Sequence, residues 1–152
     1  MVDVHCHLNF HAFGKDYDEV IKRAFKAGVT KIINVGTKID SSQKAVEIAK
    51  GRENLFAIVG IHPHHADKLE KGWENQLERL VLRSKIPPRG TKNSKIVGIG
   101  ECGLDYYSYK SNDIVNPKLQ KEVFIKQIEL AHKLKLPLQI HNRQAGKDII
   151  EI

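Results

Sequence analysis

The 152-residue chain is long enough to bury the core of one domain, and its 41% hydrophobic and 28% charged residues are ordinary for a globular protein. No apolar run approaches the roughly 18 residues of a membrane-spanning helix and no basic, apolar leader opens the chain, so the expected location is the cytoplasm. Twenty-five Lys and Arg against 18 Asp and Glu give a net charge of +7, which either favours an anionic partner such as nucleic acid or reflects solvated lysines.

Five short apolar segments alternate with amphipathic ones along the chain. Each is mostly β-branched or aliphatic and is bounded by Gly, Pro or polar residues, which predicts a buried strand. The predicted strands are residues 2–4, 31–35, 55–59, 95–99 and 138–140.

The first two predicted helices are defined by apolar spacing and by candidate caps. Residues 17–27 have helical periodicity, with Asp16 as a candidate N-cap and Gly28 as a C-terminal stop. Asp40 or Ser41 is placed to cap the next helix.

Two further helices and one loop follow. Residues 73–84 repeat apolar positions at helical spacing. Asn116 followed by Pro117 is a favourable cap and first residue for a helix that must end before Pro137. The Pro- and Gly-containing segment 87–94 is predicted to be a mobile surface loop.

This alternation predicts an α/β fold with a parallel sheet covered by helices. Five strand–helix units can be counted in residues 1–152, and the last has barely begun. The chain stops within an apparent helix at 148–152, with no Gly or Pro to end it, so we expect a truncated single domain.

Polar residues follow four of the predicted strands, at the strand ends where parallel α/β proteins bind ligands. These residues are His5-Cys6-His7, His62-Pro63-His64-His65, the segment from Glu101 to Asp105, and His141-Asn142-Arg143.

A metal site is the chemistry that best fits two of these groups. Side chains alternate along a strand, so His5 and His7 point the same way and Cys6 the opposite way. With Glu101 and His141 at the ends of other strands, these side chains could bind zinc or another divalent ion, Glu101 bridging two ions. The alternatives are histidines that merely flank a turn and a Glu101 paired with a lysine.

Three residues are candidates for substrate binding. His62 and His64 share one face and could contact a phosphate, or they could be hydrogen-bonded loop residues that shape the rim. Arg143 could bind phosphate through its planar guanidinium or form an internal ion pair. We interpret the other histidines and the cysteines as surface or structural residues: His11, His65, His132, Cys6 and Cys102.

Four motifs in order resemble the TatD family of metal-dependent hydrolases: DVHCHL, GIHPHHA, GIGECGLDYY and PLQIHNRQA. The resemblance covers essentially the whole chain. It implies a (β/α)₈ TIM-type barrel, truncated here to about its first five β/α units, because a full barrel has ~250 residues. It also implies that His5 and His7 bind one metal, Glu101 bridges two, and His141 binds the second. A further histidine and an aspartate of the family lie beyond residue 152.

The expected activity is hydrolysis of DNA phosphodiester bonds with two divalent ions (Zn, Mg or Mn), in which Glu101 is part of the catalytic centre. The 152-residue chain is expected to be inactive alone, and to self-associate or to need the missing C-terminal part. Two alternatives stay open: hydrolysis of another ester or amide by the same centre, and a non-catalytic fragment that binds metal or nucleic acid.

Overall fold

The computed structural model describes residues 1–84, 94–110 and 114–152, in which strands and α-helices alternate. The strands are β1 (Val2–Cys6), β2 (Lys31–Val35), β3 (Leu55–Val59), β4 (Ile96–Asp105) and β5 (Leu138–Arg143). The helices are α1 (Tyr17–Lys26), α2 (Ile39–Ala49), α3 (Trp73–Ser84), α4 (Pro117–Leu134) and α5 (Gly146–Glu151). Short 3-10 helices follow β1 and β3, at His11–Phe13 and Pro63–Lys68.

The five strands form one parallel sheet in the order β1-β2-β3-β4-β5, so every carboxyl end lies at the same edge. The sheet is curled: the Gln139 side chain of β5 donates from Nε2 to the Val4 carbonyl oxygen of β1, across 3.0 Å. The predicted parallel α/β arrangement is therefore present, and the curl brings the residues that end the first and last strands toward each other.

The main core lies between the sheet and helices α1 to α4. Its fully buried side chains include Leu55 and Val59 of β3, Ile99 of β4, and Leu77 and Val81 of α3. Burying each such side chain contributes about 1.5–3 kcal/mol, so this layer anchors the strands from which the polar residues project.

A smaller core holds the second half of β4. Cys102 and Leu104 pack there against Phe124 of α4 and Ala145. This packing makes β4 continue six residues beyond the strand predicted at 95–99.

Strands β4 and β5 run past their predicted ends because their pairing continues through the GECGLD segment. Cys102 pairs with Ile140 and Asp105 with Arg143. Gly103, at φ +139°, permits this pairing, because a Cβ there would collide with the carbonyl oxygen of His141. The sequence pattern predicts that glycines bound the strand, whereas in the structure they allow close approach of two backbones.

The helix caps agree with prediction in part. Asn116 Oδ1 accepts the backbone N–H of Lys118 at 2.9 Å, and Gly28 follows α1 with φ +96°. Asp16, however, makes no capping hydrogen bond. Helix α2 begins at Ile39, before both predicted caps, and Ser41 Oγ instead accepts the backbone N–H of Lys38 at 3.0 Å.

The predicted loop at 87–94 lies outside the described residues, apart from Ser94. Within the described ranges, no helix combines the length and the apolar character needed to cross a membrane.

Candidate metal centre

Four side chains predicted to bind metal converge at the carboxyl edge of the sheet. Glu101 Oε2 lies 3.3 Å from His5 Nε2 and 3.8 Å from His7 Nε2. The other oxygen of Glu101, Oε1, lies 2.9 Å from His141 Nδ1. Glu101 therefore stands between the β1 histidines and the β5 histidine, where the sequence placed it.

A β-bulge directs Glu101 into this position. The register of β4 against β5 shifts between Ile99 and Cys102, because three steps along β4 match two along β5. An extra residue in one strand bends it locally and re-aims a side chain. A similar shift lies in β1 between Asp3 and Cys6, beside His5. Each side of the centre is thus placed by an irregularity in an otherwise regular strand.

The His5 and His7 rings are prepared to bind a cation. His7 Nδ1 donates to the Val35 carbonyl oxygen at 2.8 Å, so in the neutral ring Nε2 carries a free lone pair. That atom faces His5 Nε2 at 3.1 Å. Tetrahedral zinc, with bonds of about 2.0–2.1 Å, separates its ligand atoms by about 3.3 Å. The spacings among these two nitrogens and Glu101 Oε2 fit that geometry.

Both thiols are unsuited to metal binding. Cys6 lies on the side opposite the two histidines, with Sγ 3.6 Å from the Ile33 carbonyl oxygen. Burial raises the pKa of Cys6 to about 11 and that of Cys102 to about 12. Both therefore stay protonated, and the thiolate is the form that binds metal.

His141 is held between two carboxylates. Its Nδ1 faces Glu101, and its Nε2 lies 2.9 Å from Asp105 Oδ2. Burial alone would lower the pKa of His141, but hydrogen bonds to the two carboxylates outweigh it and raise the pKa. Burial would likewise raise the pKa of Glu101, yet the hydrogen bond with His141 and the charges of nearby histidines hold it below its usual range.

His62 lies beside this group, with Nε2 3.9 Å from Glu101 Oε1. His62, Glu101 and His141 are close enough together to hold an ion by distance alone. However, His62 Nδ1 accepts the backbone N–H of His64 at 3.2 Å, so the neutral ring carries its proton on Nε2. Burial, followed by the charge of His141, lowers the pKa of His62 to about 3, which keeps the ring neutral. His62 therefore presents an N–H to the centre.

Asp105 is part of the site but was not among the predicted site residues. It is 1% exposed, and besides His141 its Oδ2 contacts His64 Nε2 at 3.0 Å and accepts from Tyr109 OH at 2.9 Å. Burial would raise the pKa of Asp105, but the backbone N–H of Tyr107 and the side-chain hydrogen bonds lower it. The available signal was its position four residues after Glu101, which places both carboxylates on one face of β4.

Two buried glutamines of α4 hold the strand ends in place. Gln120 accepts the backbone N–H of Asp105 at 2.8 Å and donates to its carbonyl oxygen at 2.9 Å. One heptad later, Gln127 makes the same pair of bonds to Ile61, at 2.8 and 3.0 Å, next to His62. Neither glutamine is among the predicted site residues, although a polar residue on the buried face of a helix is a usable signal.

Arg143 lies over the tyrosines that follow β4. Its guanidinium carbon is 4.0 Å from the ring centroid of Tyr107, and Nη1 donates to Tyr109 OH at 2.7 Å. Across the ranges that the structure describes, Arg143 forms no salt bridge, so the internal ion pair considered above is not formed there. Most of its N–H groups stay available to an anion.

The centre opens into a cavity of about 340 Å³. Its lining includes His7, Phe10, His62, His64, Glu101, Tyr109 and His141. The arrangement is a polar, histidine-rich pocket with one carboxylate at its middle.

Curated relatives align with the whole chain. A Mycobacterium tuberculosis protein named uncharacterized metal-dependent hydrolase TatD is 34% identical over 157 residues, covering 100% of this chain and 55% of the relative. The Bacillus subtilis metal-dependent hydrolase YabD is 36% identical, covering 100% and 54%. The Escherichia coli K12 protein named 3′-5′ ssDNA/RNA exonuclease TatD is 30% identical, covering 95% and 50%. The chain thus spans about half the length of these relatives.

Solved structures and a family model give the same result. The E. coli TatD homologue YJJV superimposes with a TM-score of 0.84 at 28% identity, over 99% of this chain and 54% of that one. A TatD family hydrolase from Entamoeba histolytica gives a TM-score of 0.83 at 25% identity, over 99% and 52%. These matches confirm the predicted TIM-type fold with about five β/α units. The family model described as TatD related DNase matches residues 2–152, and the chain belongs to that family.

Proposed function

We propose that this chain carries the metal-binding part of a divalent-metal-dependent phosphodiesterase that hydrolyses nucleic acid, with DNA as the expected substrate. The observation that carries the proposal is the position of Glu101, whose two oxygens face different imidazoles: His5 and His7 on one side, His141 on the other. The exonuclease names of several relatives support the same class of substrate.

In this proposal His5, His7 and Glu101 hold one ion, and Glu101 and His141 contribute to a second. Imidazole nitrogens mixed with a carboxylate favour zinc or another first-row ion over magnesium, which prefers oxygen ligands. Bound divalent ions supply Lewis-acid polarisation of a phosphoryl oxygen and lower the pKa of a water molecule.

The chain's own residues bind and orient the phosphate. His62 presents its Nε2–H toward the centre, and Arg143, beside Tyr107 and Tyr109, offers a planar set of N–H groups. His64 stands at the rim between these two positions, held by Asp105. The net charge of +7 assists the approach of a polyanion.

We further propose that residues 1–152 alone bind one ion well and do not hydrolyse DNA. The first ion has three ligands from these residues, whereas the second has two, since His62 presents an N–H rather than a lone pair. A non-catalytic role for the isolated chain follows from the same number of ligands, because the second ion has too few. An ester or amide substrate would use the same metal ligands and would differ in the groups that Arg143 and His62 contact.

Calorimetric titration of Zn²⁺ or Mn²⁺ tests the metal centre. Glu101→Gln keeps the size of the side chain but removes its charge, and we expect it to abolish tight binding. The matched control is His132→Ala, an exposed histidine on α4, which leaves binding unchanged. Equal binding by wild type and Glu101→Gln would refute the site.

Hydrolysis of single-stranded DNA, single-stranded RNA and a simple carboxylic ester, assayed in parallel with added metal, tests the reaction. The proposal predicts no turnover by residues 1–152 and phosphodiester cleavage by a protein that also supplies the remaining ligands. Cleavage of the carboxylic ester alone would assign the centre to the other class of substrate.

A further inference from the structure

A second cavity adjoins the metal centre and is not used by the proposed chemistry. It has a volume of about 620 Å³, and we name it the Phe10 cavity. Its lining includes Asn9, Phe10, Lys38, Asp40 and Lys44. Phe10, Thr37 and His65 also line the 340 Å³ cavity of the metal centre, so the two spaces share a wall.

We propose that the Phe10 cavity is a subsite for one nucleotide adjacent to the scissile phosphate, whose base stacks on Phe10 and whose phosphate contacts Lys38 and Lys44. This inference rests on the proposed function, because it takes the substrate to be a single-stranded nucleic acid. The volume of the Phe10 cavity, about 620 Å³, lies within the range of pockets that hold one small ligand.

The Phe10 ring is exposed and preorganised. It is 42% exposed, although it stacks on the His7 ring with a centroid distance of 4.4 Å and an interplanar angle of 10°. Its backbone N–H donates to the His7 carbonyl oxygen at 3.0 Å. The neighbouring Asn9 donates to the carbonyl oxygens of Val35 and Ser41, at 3.1 and 3.0 Å. An exposed aromatic ring held in this way is a stacking surface that costs little ordering on binding.

The cavity also presents cations that an anion can recruit. Lys38 pairs with Asp40 at 3.0 Å and Lys44 with Glu47 at 2.9 Å, and all four side chains are substantially exposed. Exposed ion pairs of this kind are weak, so either ammonium group can exchange its carboxylate for a phosphate. Asp40 belongs to the cavity wall and would repel an anion if Lys38 were removed.

The combination of ring and cations distinguishes a nucleotide from other ligands. Inorganic phosphate would use the lysines and leave the ring exposed, whereas an apolar ester would cover the ring and leave the lysines unused. A nucleotide next to the cleaved bond satisfies both, because its base and its phosphate are joined at the spacing of one sugar. The His7–Phe10 stack places this subsite in direct contact with the first metal position.

The test is binding of a fluorescent five-nucleotide dT strand, measured by anisotropy in EDTA so that bound metal ions do not contribute to the affinity. Companion strands each lack the base at one position. For the wild-type chain, loss of one particular base should weaken binding about tenfold. Phe10→Leu should bind the full strand about tenfold more weakly and lose that dependence, and Phe10→Tyr should restore it. If Phe10→Leu keeps the same dependence on a single base, the subsite is refuted.

Substitution of the two lysines that line the cavity gives a second measurement, which remains informative if Phe10→Leu does not fold. Lys38→Gln and Lys44→Gln should each reduce the slope of log affinity against log salt by about one. Lys147→Gln, an exposed lysine on α5 outside this cavity, is the matched control and should not change the slope. Unchanged slopes for all three would refute the phosphate contacts.

The outcomes separate this inference from the proposed function. A wild-type chain that binds no strand refutes both. A wild-type chain that binds every strand equally, whichever base is missing, refutes the subsite and leaves nucleic-acid binding intact.

Discussion

Replacing Gln127 by methionine tests whether α4 holds the segment after β3 that carries His62. Gln127 is fully buried, and its side-chain amide bonds to both the N–H and the carbonyl oxygen of Ile61, which is itself 1% exposed. Methionine has a similar volume, so the substitution creates no large cavity. It removes both hydrogen-bond partners and leaves two buried backbone groups unpaired.

The expected destabilisation follows from those two groups. A buried donor or acceptor that loses its partner costs about 1–3 kcal/mol, so Gln127→Met should lower the free energy of unfolding by about 2–6 kcal/mol. This is a large share of the ~5–15 kcal/mol by which domains are stable. With a urea m-value of about 2 kcal/mol/M, the middle of the usual range, the unfolding midpoint should fall by about 1–3 M.

Urea unfolding followed by circular dichroism, at one fixed protein concentration, measures the effect. Gln76→Met is the matched control, because Gln76 is an exposed glutamine on α3, and changes of that kind stay within about 0.5 kcal/mol. If the two variants unfold at the same urea concentration, the hydrogen bonds to Ile61 carry no net stability and the reasoning is wrong.

Three further predictions concern the metal-free and metal-bound chain. In a protein that also supplies the remaining ligands of the second ion, Asp105→Asn should weaken the ion held through His141 about 10–100-fold in calorimetric titration, because a charged partner orients that ring. Unchanged affinity would contradict this role. In the metal-free chain, the pKa of His62 in the folded state is about 3, which lies below its value in the unfolded state. Because the unfolded state then binds more protons, the free energy of unfolding should fall as the pH falls from about 6.5 to about 5. His62→Gln should flatten that dependence, and parallel curves for the two proteins would refute the assignment. Val4 and Ile140, on the edge strands of the described sheet, are 57% and 48% exposed. Size-exclusion chromatography should therefore show concentration-dependent self-association, which Ile140→Lys reduces. An elution volume that does not change with protein concentration would exclude self-association.

The sequence was sufficient for the parts of the site that depend on local rules. Alternation along β1 places His5 and His7 on one side, and the parallel order of the strands brings their carboxyl ends to one edge. Those two rules were enough to predict that Glu101 and His141 meet the β1 histidines. The four TatD-like motifs identified the family, which the comparisons confirmed.

The tertiary structure decided what depends on residues far apart in the chain. The proton on His62 is placed by the backbone of His64, in a 3-10 turn whose geometry periodicity does not encode. Gln127 contacts Ile61, 66 positions earlier in the sequence, so only the packing of α4 against the segment that follows β3 reveals what it does. Local patterns determine which face of a strand a residue occupies, whereas distances between strands follow from bulges, curl and helix packing, which are properties of the folded chain as a whole.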